Sequence, residues 1–340
     1  MRKTSNLFLD AASCKEVVKP PVWLMRQAGR YLPEYKQLRS LHSLSTLFHD
    51  PHLAAKVTLM PLDRFSLDAA IVFSDLLVIA EVWGKKVVYP EQGGPYIQPV
   101  LENPLDLFSV TQEEIQEKLS YVLDTIHLLV PKLDIPLLGF CGAPFTLLCY
   151  LMEGRGGHNF STVRSWIERS PDSVHLCLEK ICDVVISYVR LQIEAGVEAV
   201  QIFDSWANLL SKEEFLLYAL PYWKRIQESL KDLGVPLIFF SRANSIYVEE
   251  IVSISPNIIS FDEGKSLLEL REKVPDTIAI QGNFSPTILA SKTACEIEEM
   301  AHALAESVSD KKGIIFNLGH GVLPHTPIEN VEAFLKGLRK

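Results

Sequence analysis

Eight short, nearly unbroken apolar runs, at residues 22–25, 69–73, 137–140, 199–203, 237–240, 258–261, 278–280 and 314–316, constrain this chain more than any other feature. Strands covered on one face alternate apolar and polar residues, whereas parallel strands covered on both faces are apolar throughout. The runs are of the second kind. Between them lie segments of helical spacing; in 174–193, Leu176, Leu178, Ile181, Val184, Val185 and Tyr188 recur at intervals of three and four. Eight repeats of strand then helix predict an α/β chain closed into a (β/α)₈ TIM barrel, with a doubly wound open sheet as the alternative. Residues 35–65 read as an N-terminal helical insertion. Thr326, Pro327 and Glu329 read as the cap, first-turn proline and capping-box acid of a final helix.

A length of 340 residues suggests two domains at about 150 residues each, but barrels hold this much chain in one. Proline and glycine are scattered as punctuation, and no repeat or low-complexity linker divides the chain. The expectation is one domain over residues 1–340. The net charge of −9 argues against a nucleic-acid partner, which needs a dominant basic surface. Met1, Arg2, Lys3, Thr4, Ser5 and Asn6 lead into only a short apolar stretch, so no secretory signal is expected. Six cysteines without a C-x-x-C pair fit a reducing cytoplasm. The uncharged run 135–152 is long enough to suggest a membrane span, yet Pro136, Gly139, Gly142 and Pro144 interrupt it. It reads as buried strand, turn and helix, and no membrane partner is expected.

Parallel α/β folds place their chemistry at the carboxyl ends of the strands. There the chain sets Arg26 and Gln27, Ser74 and Asp75, Gly142, Asp204 and Ser205, Ser241 and Arg242, Asp262 and Glu263, Gln281 and Asn283, and Asn317 and His320. Arg26 and Arg30, four apart with Gly29 between, make a carboxylate clamp at one strand mouth; elsewhere such a pair would be an ordinary surface feature. Asp75 is a lone charge in an apolar stretch. It is either a helix N-cap or a receptor for a ligand rich in N–H donors. Tyr150 and Ser205 are weaker signals, since a helix tyrosine usually packs in a core and a serine after a strand usually caps. His320, between Gly319 and Gly321, stands in a loop where core packing is unnatural.

No metalloprotease, P-loop, nucleophile-elbow or dinucleotide-binding motif is present, and the His and Cys spacing makes no zinc signature. The 154–157 stretch falls short of a dinucleotide fingerprint. Gly282 and Gly319 to Gly321 could cradle a phosphate, as in many barrels. By residues alone, the chain is a barrel enzyme for an anionic small molecule.

The stretch Pro21-Val22-Trp23-Leu24-Met25-Arg26-Gln27-Ala28-Gly29-Arg30-Tyr31-Leu32-Pro33-Glu34-Tyr35 closely resembles the uroporphyrinogen decarboxylase family. Further likeness lies in Ile71-Val72-Phe73-Ser74-Asp75, Gly142-Ala143-Pro144-Phe145-Thr146-Leu147, Phe203-Asp204-Ser205-Trp206, Gln281-Gly282-Asn283 and Asn317-Leu318-Gly319-His320-Gly321. The resemblance implies a homodimeric barrel that removes CO₂ from the four acetate arms of uroporphyrinogen III, giving coproporphyrinogen III, with no metal or organic cofactor. It implies a substrate-binding set of Arg26, Gln27, Ala28, Gly29, Arg30, Asp75, Tyr150, Ser205 and His320, with Asp75 and Arg26 catalytic.

Decarboxylating a pyrrole acetate needs an electron sink, and protonating the adjacent ring carbon makes the pyrrole that sink. The carboxylate of Asp75 would stabilise the resulting cation. For the proton donor, Arg26, His320 and a water all stay open. The family commonly has Lys-Gly where this chain has Arg242-Ala243-Asn244, and Asp-Trp where it has Asp262-Glu263. The alternatives are a corrinoid-linked zinc methyltransferase of the same superfamily, which needs His and Cys at the strand ends, and a non-catalytic tetrapyrrole carrier, which has no need of Asp75.

Overall fold

The computed structural model describes residues 6–157 and 159–340. Met1 to Ser5, on which the reading of the missing secretory signal partly rests, lie outside the described residues. Seven parallel strands form one sheet in sequence order: β1 (Ala70–Ile71), β4 (Leu137–Gly142), β5 (Ala199–Asp204), β6 (Leu237–Ser241), β7 (Ile258–Ser260), β8 (Ala279–Phe284) and β9 (Ile314–Leu318). The hairpin β2 (Lys86–Val88) and β3 (Tyr96–Gln98), which the apolar runs do not reveal, pairs antiparallel beside it.

The first apolar run makes only a single bridge, Val22 to Phe316, instead of a full strand. Phe316 N donates to Pro21 O (2.8 Å) and Trp23 N to Phe316 O (3.2 Å). Pro20 and Pro21 have no N–H to offer, and beyond Trp23 the amide of Met25 turns to the Asn317 side chain (2.9 Å). On its other side the segment meets the residues leading into β1: Asp68 N donates to Val22 O, and Val22 N to Asp68 Oδ2, both at 2.8 Å. Residues 21–25 therefore close the curled sheet into a ring.

Side chains alternate across the strands. Trp23, Leu138, Ala199, Ile238, Ile258, Ala279 and Ile315 point inward, and Phe8 of the helix Leu7–Ala12 packs into the same cluster. Outward residues such as Val200, Ile202, Phe239, Ile259 and Phe316 pack beneath the helices. Each such fully buried side chain stabilises the fold by about 1.5–3 kcal/mol. Within the barrel, Trp23 Nε1 donates to Gln281 Oε1 (2.8 Å), and Gln281 Nε2 donates to Gln201 Oε1 (3.0 Å) and Ser260 Oγ (2.9 Å). All four are fully buried, and these bonds meet the cost of placing amides there.

The insertion forms three helices, Pro33–Leu41, Leu44–His49 and Pro51–Arg64. The 135–152 run is a buried strand, a turn and the helix Pro144–Glu153, and no described helix is long and apolar enough to cross a membrane. The 174–193 pattern lies within the helix Pro171–Ala195, but Leu176 is half exposed, off the buried stripe of Val174, Cys177, Leu178 and Ile181. The last helix begins at Ile328 with Pro327 as its cap. The Thr326 hydroxyl, expected to cap it, is buried without a partner.

Candidate active site

The upper barrel interior ends in a chain of edge-to-face rings: Phe140 to Phe203 at 5.9 Å and Phe203 to Phe240 at 5.7 Å. This layer closes the barrel interior at the carboxyl ends of the strands, with Phe140 and Phe203 partly exposed and Phe240 buried beneath. His320, in the loop after β9, meets the Phe240 ring at 6.1 Å. Trp206, after β5, lies 6.2 Å from the Tyr150 ring. Gly156 lets the chain pass close to both, since a Cβ there would come within 2.7 Å of Trp206 and 2.9 Å of the Tyr150 hydroxyl.

Arg26 follows the bridging segment with φ +60°, a left-handed backbone that costs a non-glycine residue about 1–2 kcal/mol. The loop is held in that shape from below. Gln27 is buried, accepting from Leu24 N (3.2 Å) and donating to Ala69 O (3.4 Å), while the Tyr31 hydroxyl donates to Gln27 O (2.7 Å). The Gln27 side chain is thus spent on its own backbone instead of reaching into the cleft. Ala28 packs against the core, and a Cβ on Gly29 would stand 3.2 Å from Arg26 O. Arg26 and Arg30 are both exposed.

Asp75 caps the 3₁₀ helix Leu76–Trp83, its Oδ1 accepting from Leu77 N at 2.8 Å. The capping alternative is therefore realised, yet the carboxylate stays partly open to the cleft. Burial raises its pKa to about 6 against the lowering effects of the Leu77 hydrogen bond and the Arg26 charge. Nearby, Ser74 Oγ and the Tyr89 hydroxyl are buried without partners. Burial first, and then the Asp75 charge, pushes the Tyr150 phenol up. Ser205 follows β5 directly and is partly exposed.

The imidazole of His320 is driven down to about 3, by burial first and then by the charges of Arg26 and Arg242. Desolvation by the cleft walls, with Arg242 and Arg30 opposing Asp75, also lowers the Arg26 guanidinium. Arg64, Arg164, Arg225 and Arg339 have carboxylate partners. Arg26, Arg30 and Arg242 have none among the described residues, which leaves three cations at one barrel mouth available to an anionic ligand.

The strand-end rule names Arg242, but the motif likeness expects Lys-Gly there and leaves it out of the predicted set. Trp206 and the three phenylalanines carry no polar signal to single them out. Asp204, also at a strand end, plays a structural part instead. Its Oδ1 accepts from Thr146 N (3.1 Å) and Thr146 Oγ1 (2.7 Å), and its Oδ2 from Trp223 Nε1 (2.9 Å). It faces the helices.

The glycines expected to cradle phosphate are filled by protein. A Cβ on Gly282 would meet Phe261 O, one on Gly319 would meet Glu263, and one on Gly321 would meet the Arg26 side chain. The Glu263 carboxylate in front of Gly319 would also repel an anion. Among the described residues no three His, Cys, Asp or Glu side chains gather to hold a metal ion.

The sequence profile of the family described as Uroporphyrinogen decarboxylase (URO-D) matches residues 3–340. The chain belongs to that family. It is 40% identical over 336 residues to uroporphyrinogen decarboxylase of Protochlamydia amoebophila, covering 99% of this chain and 92% of the relative. Its identity to the Syntrophotalea carbinolica enzyme is 38% over 330 residues, with 96% and 95% covered. With the Coxiella burnetii enzyme it shares 37% over 346 residues, with 100% and 96% covered.

Among solved structures, a methyltransferase from Methanosarcina mazei superposes with a TM-score of 0.83 at 21% identity, covering 97% of this chain and 96% of that one. A B12-independent methionine synthase from Shewanella follows with a TM-score of 0.55 at 15% identity, with 85% of each covered. These likenesses show a shared fold and nothing more.

Proposed function

We propose that the protein is a carboxy-lyase that converts uroporphyrinogen III to coproporphyrinogen III by removing CO₂ from its four acetate arms in haem biosynthesis. The observation that carries this reading is the Asp75 carboxylate, partly open at the strand-end face that also carries Arg26, Arg30 and Arg242, none of which has a carboxylate partner among the described residues. An octa-anionic macrocycle with four central N–H groups complements that pattern. Its carboxylates meet Arg26, Arg30 and Arg242, its N–H groups donate to Asp75, and its apolar ring system lies on the partly exposed Phe140 and Phe203.

Each decarboxylation exchanges one CO₂ for one proton. Protonation of the pyrrole carbon beside the acetate creates a cation, and the electrons of the breaking C–C bond flow into that ring as CO₂ leaves. The exocyclic carbon then takes up a proton to become methyl, while the ring carbon gives its own proton back. Asp75, ionised above about pH 6, stabilises the ring cation in a water-poor cleft. His320 carries no acidic proton near neutrality, so it supports binding instead of protonation. Arg26 or a water held by it supplies the proton, helped by the lowering of its guanidinium. Tyr150 and Ser205 complete the binding set.

The deciding experiment is anaerobic incubation of chelator-treated protein with uroporphyrinogen III, followed by separation of the oxidised porphyrins by carboxylate number. Stepwise eight-to-four conversion without added cofactor is expected; bound but intact substrate would make the protein a carrier. Homodimerisation and a cytoplasmic location, implied by the family resemblance, complete the proposal, and sedimentation equilibrium tests the dimer.

A further inference from the structure

Arg242 leaves the carboxyl end of β6 and reaches across the cleft, where its Nη2 lies 3.2 Å from His320 Nε2. A guanidinium has hydrogens to give and no lone pair to receive one. This contact is therefore a hydrogen bond only if Nε2 is the bare nitrogen of the imidazole. The single ring proton then sits on Nδ1, for which no described residue provides an acceptor.

Both partners are held in place. The edge of His320 meets the Phe240 ring, and the guanidinium carbon of Arg242 lies 5.3 Å from the centre of the Trp206 ring. Arg242 Nε is buried without a partner, and no described carboxylate neutralises the side chain. Arg26 adds a second positive charge near the same imidazole, so a protonated ring would face two cations.

We propose that Arg242 is a positioning residue that fixes His320 as the neutral tautomer protonated at Nδ1, making the histidine a hydrogen-bond donor to a substrate carboxylate instead of an acid. The free edge of the same guanidinium supplies the third cation of the carboxylate clamp. The identity of that ligand rests on the function proposed above; the tautomer does not.

The test is long-range ¹H–¹⁵N correlation NMR of the full chain labelled at histidine, with the His320 signals assigned by their loss in His320→Gln. Between about pH 5 and 8, where an ordinary histidine titrates, wild-type His320 is expected to show a protonated Nδ1, an unprotonated Nε2 and no titration. In Arg242→Met the tautomers mix and the ring titrates nearer the ordinary range, and Arg242→Lys restores the wild-type pattern in part. KM for uroporphyrinogen III in Arg242→Met is expected to rise roughly 10- to 100-fold, the loss of one charge-assisted hydrogen bond.

A wild-type His320 protonated at Nε2, or charged across that range, overturns the proposal without any variant having to fold. So does a wild-type pattern retained in Arg242→Met. Because the spectra need no substrate, failure to decarboxylate uroporphyrinogen would sink the functional reading and leave the tautomer result standing.

Discussion

Arg26 lies flat across Gly321: a Cβ on that glycine would stand 2.3 Å from Arg26 Cδ and 2.6 Å from Cγ. The glycine is a seat for the guanidinium stem. Gly321→Ala is expected to push Arg26 off its path and lower kcat/KM roughly 10- to 100-fold, the worth of one charge-assisted contact. Steady-state kinetics with a melting control checks this, since a large fall in Tm with unchanged kcat/KM would assign the glycine to packing.

Arg26 also sits in an unfavourable backbone shape that the Gln27 and Tyr31 hydrogen bonds impose on the loop. Arg26→Gly should relieve the left-handed strain and, after the added freedom of glycine in the unfolded chain, stabilise the protein by about 0.5–1 kcal/mol while abolishing turnover. Urea denaturation beside an activity assay separates the two effects. A loss of stability would show that the packing of the Arg26 stem on Gly321 outweighs the backbone strain.

Asp75 is expected to trade stability for activity. Its folded pKa of about 6 lies above its ordinary 3.8, so the folded chain binds the proton more tightly; that contribution is fully present below 3.8 and is lost as pH rises through 6. Asp75→Asn keeps an acceptor for Leu77 N and removes the charge. It should raise Tm near pH 8, by about 1–3 kcal/mol of stability, leave Tm little changed near pH 4, and abolish turnover. Near-wild-type kcat in this variant would remove the carboxylate from the chemistry.

His320 shifts the other way. Its folded pKa of about 3 lies below the ordinary 6.5, so its contribution to stability is present above 6.5 and falls away as the unfolded chain takes up a proton below it. His320→Gln should flatten that acid loss, measured as Tm against pH. The acid limb of kcat/KM near pH 6 should persist in the variant, because Asp75 sets it; its disappearance would reassign the limb to the histidine.

Ala243, with φ +54°, occupies a position where the family resemblance expects glycine. Its amide donates to Asp262 Oδ2 at 3.1 Å, which pins the turn next to Arg242. Ala243→Gly should stabilise the protein by about 0.5–1 kcal/mol with kcat/KM unchanged, as read from chemical denaturation and kinetics.

The barrel was legible because burial on both faces writes itself directly into apolar runs, and seven of the eight emerge as strands of one parallel sheet. The first run shortened to a bridge because two prolines and the Asn317 side chain take its pairing away, which residue-by-residue hydrophobicity does not encode. Strand-end position alone drew Arg26, Asp75, Ser205 and His320 toward one cleft, but it could not tell Asp75 from Asp204. What separates them is the use of the side chain at the end of a strand: Asp204 is fully taken up by Thr146 and Trp223, whereas Asp75 accepts one bond from Leu77 N and stays partly exposed. The inward turn of Arg242 onto His320, 78 positions away, is a long-range pairing invisible to local pattern. The β2 and β3 hairpin, three residues a side, is too short for periodicity to show.

The bridge between Val22 and Phe316 joins parts of the chain that leave the ribosome nearly three hundred residues apart. The segment carrying Arg26 and Arg30 emerges long before β9, the strand it bridges to. A nascent chain can therefore set this arm against Asp68 and Ala69 early, but the arm gains its second wall, and the ring closes, only when β9 appears. Any chain that terminates before residue 314 lacks one of the two walls against which that arm is held, even where every residue of the arm has been made.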